Sequence, residues 1–153
     1  ALPKAPLAML SGPTFAVEVA RGQPAAVTLA CGDTEIGKAL VSALGTRHFR
    51  PYLSNDVTAC EIGGSVKNVL AVASGIVIGR GMGENTRAAL VTRGLTEMVR
   101  LGIAKGAQAA SMMGLCGFGD LLLTCTSAQS RNYRFGLAVG GGQRDVLTHD
   151  FLP

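Results

Sequence analysis

Charged and aromatic residues are scarce in this chain of 153 residues. Charged residues make up 16% and aromatic residues 5%, and there is no tryptophan. Disordered tails combine high charge with low hydrophobicity, so a content of 48% hydrophobic residues excludes that class. Base-stacking surfaces need aromatic rings and basic clusters, whereas the 14 Lys and Arg residues are scattered. We therefore predict that the partner is not a nucleic acid.

Metal-binding and disulfide patterns are also missing. The four cysteines are Cys31, Cys60, Cys116 and Cys125. They form no C-x-x-C pair, and neither His48 nor His149 lies at metal-ligand spacing, so we predict no metal site. Disulfide frameworks are typical of small secreted chains that cannot build a core. Buried free thiols in a reducing cytoplasm are the expectation.

No apolar run reaches the ~20 residues that a membrane-spanning helix needs. The longest run, Val69 to Gly79, is bracketed by Lys67 and Arg80. The N-terminal ALPKAPLAML lacks the continuous apolar segment of a signal peptide. We predict a soluble protein with no membrane span.

Glycine is abundant, with 21 residues and no three-residue period, which excludes collagen. An excess of glycine together with low charge predicts close helix packing and close backbone approach to a ligand. The chain starts at Ala1 without Met and ends on Pro153. We therefore expect a piece of a longer protein.

Residues 1–55 read as short strands that alternate with helices. The predicted strands are Leu7 to Leu10, Ala25 to Cys31 and Phe49 to Ser54, and the apolar spacing in Thr34 to Leu44 predicts a helix. This order is typical of the end of an α/β sheet.

From residue 56 the pattern becomes helical. Apolar residues from Ile62 to Val77 recur at helical spacing, and the opposite side of that helix carries small residues. A second helix is predicted from Thr86 to Lys105 with Asn85 as its N-cap, and a third after Ser130. The fold class is therefore an α/β remnant followed by an all-α region.

Lys67 is the first candidate functional residue. It lies in the middle of a predicted helix, in GGSVKN, and its neighbours on that side are Gly63, Gly64 and Ala71. A helical lysine is ordinarily a solvated surface charge, and these small neighbours favour a functional role instead. Partly desolvated lysines can exchange protons near neutral pH.

Three further groups have both structural and functional interpretations. Ser130 is a favoured N-cap, and with Arg131 and Asn132 it would open a helix whose free N–H groups suit an anion such as phosphate. The segment Gly12 to Ala16, which includes Thr14, joins a strand to a helix, where α/β proteins bind ligands or simply turn. Asp120 is either an N-cap or a polar site residue, with Thr124 one turn later.

Four segments together resemble NAD(P)-dependent glycerol-3-phosphate dehydrogenase. They are SGPTFAVEVARGQP, EIGGSVKNVLAVASGI, ENTRAALVTRGLTEMVRLG and GLCGFGDLLLTCTSAQSRNYRFG. They stand in the family's order and cover the chain from about Leu10 to about Gly141. The resemblance implies a Rossmann-like cofactor domain that ends within residues 1–55 and a truncated helical substrate-binding domain over residues 56–153.

The resemblance also implies roles for the matched residues. Lys67 would exchange a proton with the C2 oxygen of the substrate, and Asp120 would complete the catalytic pocket. Gly12, Thr14, Ser130, Arg131 and Asn132 match substrate contacts, Ala16 and Arg131 match cofactor contacts, and Asn68 and Thr124 look like supporting polar groups. The implied reaction interconverts glycerol 3-phosphate and dihydroxyacetone phosphate with NAD or NADP. The resemblance places this reaction in glycerol-3-phosphate, phospholipid and carbohydrate metabolism in the cytoplasm. It is also compatible with a homodimer of the enzyme.

The sequence departs from the family in two places. It contains no G-x-G-x-x-G fingerprint, and QRDVLTHDFLP after Gly142 does not resemble the family's continuation. We therefore expect the chain alone to be inactive. The alternative is a non-catalytic helical module that binds a phosphorylated ligand or forms oligomers, and a reductase of another phosphorylated or carboxylated carbonyl is the other enzymatic reading.

Overall fold

The computed structural model describes residues 6–143. Of the segment QRDVLTHDFLP only Gln143 is described, so His149 lies outside the described residues. In chain order the elements are β1 (Ala8–Ser11), α1 (Ala16–Ala20), β2 (Ala25–Cys31), α2 (Thr34–Leu44), β3 (Phe49–Ser54), α3 (Val57–Gly79), α4 (Gly83–Ala104), α5 (Ala109–Met112), a π-helical turn (Leu115–Gly119, called the π turn), α6 (Asp120–Thr126) and α7 (Arg131–Gly140).

The three strands form one sheet in the order β1-β2-β3. β1 runs antiparallel to β2, and β2 runs parallel to β3. The small sheet and the helices that follow it confirm the predicted fold class. The sheet joins the helical core through Ala30, which belongs to the main buried cluster, and through Met9, which packs against that cluster.

Local sequence signals place most of these boundaries correctly. β2, β3 and α2 have the predicted bounds, and β1 is shifted by one residue. Asp33 caps α2 because its carboxylate accepts hydrogen bonds from two backbone N–H groups at 3.0 Å. The predicted N-cap at Asn85 is wrong, because α4 begins two residues earlier, at Gly83. Gly83 has a φ of +84°, a conformation that favours glycine.

α3 is the central helix, and its fully buried positions are all occupied by small residues. α4, α6, α7 and the π turn pack against it. Ala71 and Gly75 are buried, whereas Val69, which was assigned to the apolar face, is 70% exposed. An ideal Cβ on Gly75 would overlap the carbonyl oxygen of Tyr133 in α7, and one on Gly136 would overlap that of Val72. The predicted close approach of a backbone is therefore confirmed, and the predicted apolar face is wrong at Val69.

Two segments, Val57–Gly79 and Ala109–Thr126, are long and apolar enough to cross a membrane by length and composition alone. The search for apolar runs in the sequence missed Val57–Gly79, because it ended the run at Lys67. A single lysine does not end a helix. A core helix of a soluble protein meets the same criterion, and α3 occupies that position. The absence of a membrane span stays a prediction.

All four cysteines are buried free thiols, as predicted.

Candidate active site

The structure joins Lys67 and Asp120 directly. Lys67 Nζ on α3 lies 2.5 Å from Asp120 Oδ2, the first residue of α6. The Asp120 side chain is 4% exposed and the Lys67 side chain 23%. A buried carboxylate is stable only with a close partner, so the pair fixes the ammonium at one place while leaving it accessible. Of the two interpretations of Asp120, the N-cap is wrong, because its carboxylate faces Lys67 and α6 begins at Asp120 itself.

The backbone of the π turn and the start of α6 place Asp120 beside Lys67. The π turn ends at Gly119, and α6 continues from it without a side-chain cap. Thr124, one turn into α6, lies within hydrogen-bonding distance of Asp120 at two atoms, 2.6 Å from its carbonyl oxygen and 3.3 Å from Oδ1. Thr124 is therefore a supporting polar group on the same side of the helix, as the spacing predicts.

A second polar contact joins α3 to α7. Asn132 Nδ2 donates to Asn68 Oδ1 at 2.9 Å. Asn68 follows Lys67 in the chain, so one turn of α3 reaches both α6 and α7. This contact places the start of α7 next to the Lys67–Asp120 pair.

The start of α7 has the predicted geometry. Ser130 is buried and caps the helix, because its hydroxyl oxygen accepts a hydrogen bond from Tyr133 N at 3.2 Å. Arg131, the first helical residue, is exposed. A capped helix of ten residues with an exposed guanidinium at its N-terminus is a favourable place for an anion.

The segment from Gly12 to Ala16 lines a separate cleft of about 360 Å³ between β1, α1 and the sheet. Gly12, Thr14 and Ala16 all belong to its wall, whereas Lys67 does not. Gly12 must be glycine, since an ideal Cβ would lie 2.9 Å from Val27 Cα. Thr14 Oγ1 contacts the carbonyl oxygen of Gly12 at 3.5 Å and does not cap α1.

Two contacts connect this cleft to the helical site. Pro13 packs beside Gly119, where an ideal Cβ would lie 3.4 Å from Pro13 Cγ. Gln129 Nε2 donates to Glu18 Oε1 of α1 at 2.6 Å, immediately before Ser130. These two contacts link the segments that line the cleft to the residues that directly precede Asp120 and Ser130.

Asp56 is an organising residue that sequence reasoning used only as a boundary. Its side chain is buried, Oδ1 accepts a hydrogen bond from Ala59 N at 2.9 Å and Oδ2 accepts one from Gln108 N at 2.7 Å. It caps α3 and ties that cap to the segment before α5. The N-cap half of this role was readable from an aspartate directly before a helix, but the contact with Gln108, 52 residues away, had no local signal.

Comparison with known proteins gives consistent matches along most of the chain. The family model described as NAD-dependent glycerol-3-phosphate dehydrogenase C-terminus matches residues 56–149, and the corresponding N-terminus model matches residues 1–37. The predicted departure from the family after Gly142 is therefore wrong as far as residue 149. A protein of Paramagnetospirillum magneticum named glycerol-3-phosphate dehydrogenase [NAD(P)+] is 65% identical over 132 residues, which is 86% of this chain and 48% of the relative. One of the same name from Rhodospirillum rubrum is 63% identical over 93% of this chain and 41% of its own length.

A solved structure shows the same fold. The crystal structure of glycerol-3-phosphate dehydrogenase from Coxiella burnetii superposes with a TM-score of 0.95 at 46% identity, over 99% of this chain and 47% of that one. The chain thus spans less than half the length of each of these three relatives.

Proposed function

Because the chain belongs to the NAD-dependent glycerol-3-phosphate dehydrogenase family, we propose that it carries the substrate-binding part of an enzyme that interconverts glycerol 3-phosphate and dihydroxyacetone phosphate. The observation that carries the proposal is the Lys67–Asp120 pair, with Nζ and Oδ2 2.5 Å apart beside the capped start of α7. A proton donor next to an anion site is what a phosphorylated ketone requires.

Lys67 is the proton-transfer group. As the ammonium ion it donates a proton to the C2 carbonyl oxygen of dihydroxyacetone phosphate, and as the amine it accepts the hydroxyl proton of glycerol 3-phosphate. Asp120 holds Nζ in place through the ion pair. Thr124 contacts the Asp120 carboxylate, and Asn68 contacts Asn132, so both support the polar groups around Lys67.

The start of α7 binds the phosphate. Ser130 fixes the first turn, so that its free N–H groups point toward the anion, and Arg131 supplies a fork of donors. Asn132 is held by Asn68 in a position to contact the substrate. Gly12 and Thr14 contact the substrate from the adjoining cleft.

The residues present fit only the outer edge of a dinucleotide. Ala16 is exposed at the start of α1 and Arg131 at the start of α7, so both can contact NAD or NADP from the open side. The sequence has no G-x-G-x-x-G turn to hold a pyrophosphate. A bound nicotinamide would supply or accept the hydride at C2, and the residues of this chain position the substrate and move the proton.

Binding to the 153-residue chain tests the phosphate site. Titration calorimetry with glycerol 3-phosphate is expected to give a Kd that rises at least about tenfold in Arg131→Ala, because charge-assisted bonds contribute about 1.5–3 kcal/mol. Arg93→Ala is the matched control, since Arg93 is an exposed arginine on α4. Equal Kd values for the wild type and Arg131→Ala would contradict this site.

Turnover tests the lysine. With the chain joined to the N-terminal half of the Rhodospirillum rubrum relative, Lys67→Met is expected to lower kcat by about 10²–10⁴, the usual contribution of a general acid–base group. Lys38→Met, at an exposed lysine of α2, is expected to leave kcat unchanged. A Lys67→Met enzyme with near-normal kcat would instead favour the non-catalytic module, which family membership does not favour.

The cytoplasmic location, the homodimer and the absence of a membrane span are part of this proposal. Sedimentation of the chain in buffer without detergent tests the last two together, because a soluble dimer sediments as a single species of twice the chain mass.

A further inference from the structure

Cys60 and Cys116 form a buried thiol pair that the proposed reaction does not use. Cys60 lies in the first turn of α3 and Cys116 in the π turn, and their exposures are 0% and 1%. The two thiols lie close enough for each to shift the pKa of the other, and the Cys116 thiol donates to the carbonyl oxygen of Ser111 at 3.6 Å. One turn further along α3, an ideal Cβ on Gly63 would overlap the carbonyl oxygen of Cys116, so the two backbones are in contact here.

A small cavity gives access to one member of the pair. It has a volume of about 130 Å³ and lies between the middle of β2, the end of β3 and the segment that leads into the π turn. Its lining residues are Thr28, Tyr52, Leu53, Ser54, Ser111, Gly114 and Cys116. A water molecule occupies about 30 Å³, so hydrogen peroxide fits. Cys116 lines this cavity and Cys60 does not, so an oxidant reaches Cys116 first.

The electrostatic environment also distinguishes the two thiols. The hydrogen bond from Cys60 lowers the pKa of Cys116, with burial opposing it and a hydrogen bond from Thr28 adding to it. The same thiol–thiol contact, together with burial, raises the pKa of Cys60. Burial raises the pKa of Cys125 to about 12. Because the thiolate is the reactive form, Cys116 is the nucleophile of this group.

We propose that Cys116 is an oxidation site for hydrogen peroxide and that Cys60 is its resolving thiol. The Cys116 thiolate attacks one peroxide oxygen, the O–O bond breaks, and the departing hydroxide takes a proton to leave as water, which gives a sulfenic acid. Cys60 then attacks the sulfur of that sulfenic acid, the S–S bond forms, and a second water leaves. Two thiols are oxidised and one peroxide is reduced to two waters.

The bond would tie α3 to the π turn next to the candidate active site. Lys67 follows Cys60 by about two helical turns, and Asp120 follows Cys116 by one. The modification and the proposed reaction are nevertheless separate claims, because the thiol chemistry needs neither substrate nor cofactor.

Peroxide treatment of the 153-residue chain tests the proposal. We expect two of the four thiols to disappear in a thiol titration of the denatured protein, and peptide mass mapping to recover a Cys60–Cys116 cross-link. Cys60→Ala is expected to stop at a dimedone-reactive sulfenic acid on Cys116, and Cys116→Ala to form no cross-link.

Cys125→Ala is the matched control and is expected to keep the cross-link. Four intact thiols after treatment of the wild type, or a cross-link that involves Cys31 or Cys125, would overturn the proposal. The mapping is made on the wild type, so the result does not depend on whether a variant folds.

Discussion

Lys67 and Asp120 are 2.5 Å apart at Nζ and Oδ2, but solvent reaches them unequally. The carboxylate is almost fully enclosed, whereas nearly a quarter of the lysine side chain is exposed. The lysine can therefore regain water without its partner, and the aspartate cannot. Removing the lysine leaves a buried charge whose one other side-chain hydrogen-bond partner among the described residues is Thr124. The pair therefore has a structural role as well as the proposed catalytic one.

We expect Lys67→Met to lower the free energy of unfolding by about 3 kcal/mol, because breaking a buried ion pair strands the remaining charge. Urea denaturation of the 153-residue chain measures the change. Lys38→Met is the control, since Lys38 and Glu35 form an exposed pair worth less than about 1 kcal/mol. Equal losses for the two variants would show that the Asp120 carboxylate is not dependent on Lys67.

Gly75 and Gly64 lie on the same helix and give opposite predictions. A methyl group on Gly75 would overlap the backbone of α7, whereas one on Gly64 has nothing within 4 Å. We expect Gly75→Ala to lower the free energy of unfolding by about 1–3 kcal/mol, because the added methyl group overpacks the contact with α7. Gly64→Ala is expected to raise it by up to about 1 kcal/mol, since alanine is the better helix former. Thermal unfolding of both variants checks the signs, and a stable Gly75→Ala would contradict the close α3–α7 packing.

The parts of the fold that sequence predicts well depend on local signals. β2, β3 and α2 follow from β-branched runs, helical spacing and flanking Gly or Pro, and the Ser130 cap follows from residue type at a helix start. The buried side of α3 was only partly predictable in this way. Ile62, Val66 and Leu70 pack against the core as their hydrophobicity predicts. Val69 is exposed, however, and small residues such as Gly75 are buried, because α7 approaches α3 at these positions.

The candidate site shows the same limit. Residue patterns and family resemblance selected Lys67 and Asp120, but their pairing depends on a contact between distant parts of the chain. Lys67 and Asp120 are 53 residues apart, and the amide of Gln129 reaches Glu18 across 111 residues. Nothing in either local sequence indicates those contacts, and the N-cap interpretation of Asp120 was wrong for this reason.

Ser130→Ala is expected to destabilise the chain by about 1 kcal/mol, because it removes the hydroxyl that accepts the hydrogen bond from Tyr133 N. It is also expected to weaken glycerol 3-phosphate binding, since the first turn of α7 loses its fixed geometry. Denaturation and calorimetry on the same samples measure both effects. Ser65→Ala is the control, an exposed serine whose hydroxyl only donates to a helix carbonyl. A control loss as large as that of Ser130→Ala would remove the capping explanation.

Alkaline pH is expected to destabilise the protein through Cys125. Burial raises its pKa to about 12 from an ordinary value of 9.0. The unfolded chain therefore releases this proton first, and the stability that is present below pH 9.0 is lost as the pH rises toward 12. The unfolding free energy of Cys125→Ala should fall less steeply than that of the wild type over this window. Parallel pH profiles for the two proteins would contradict the shift.

The 153-residue chain is expected to bind NADH only weakly. A dinucleotide gains much of its affinity from a pyrophosphate held at a glycine-rich turn and helix N-terminus, and this sequence has no such fingerprint. Ala16 and Arg131 offer edge contacts alone, so calorimetry should give a Kd above about 1 mM. Glycerol 3-phosphate binding in the same preparation is the control that the helical site is formed. A micromolar Kd for NADH would show instead that the cleft lined by Gly12, Thr14 and Ala16 holds the cofactor without the fingerprint. Gly12 and Thr14 would then be cofactor contacts and not the substrate contacts proposed above.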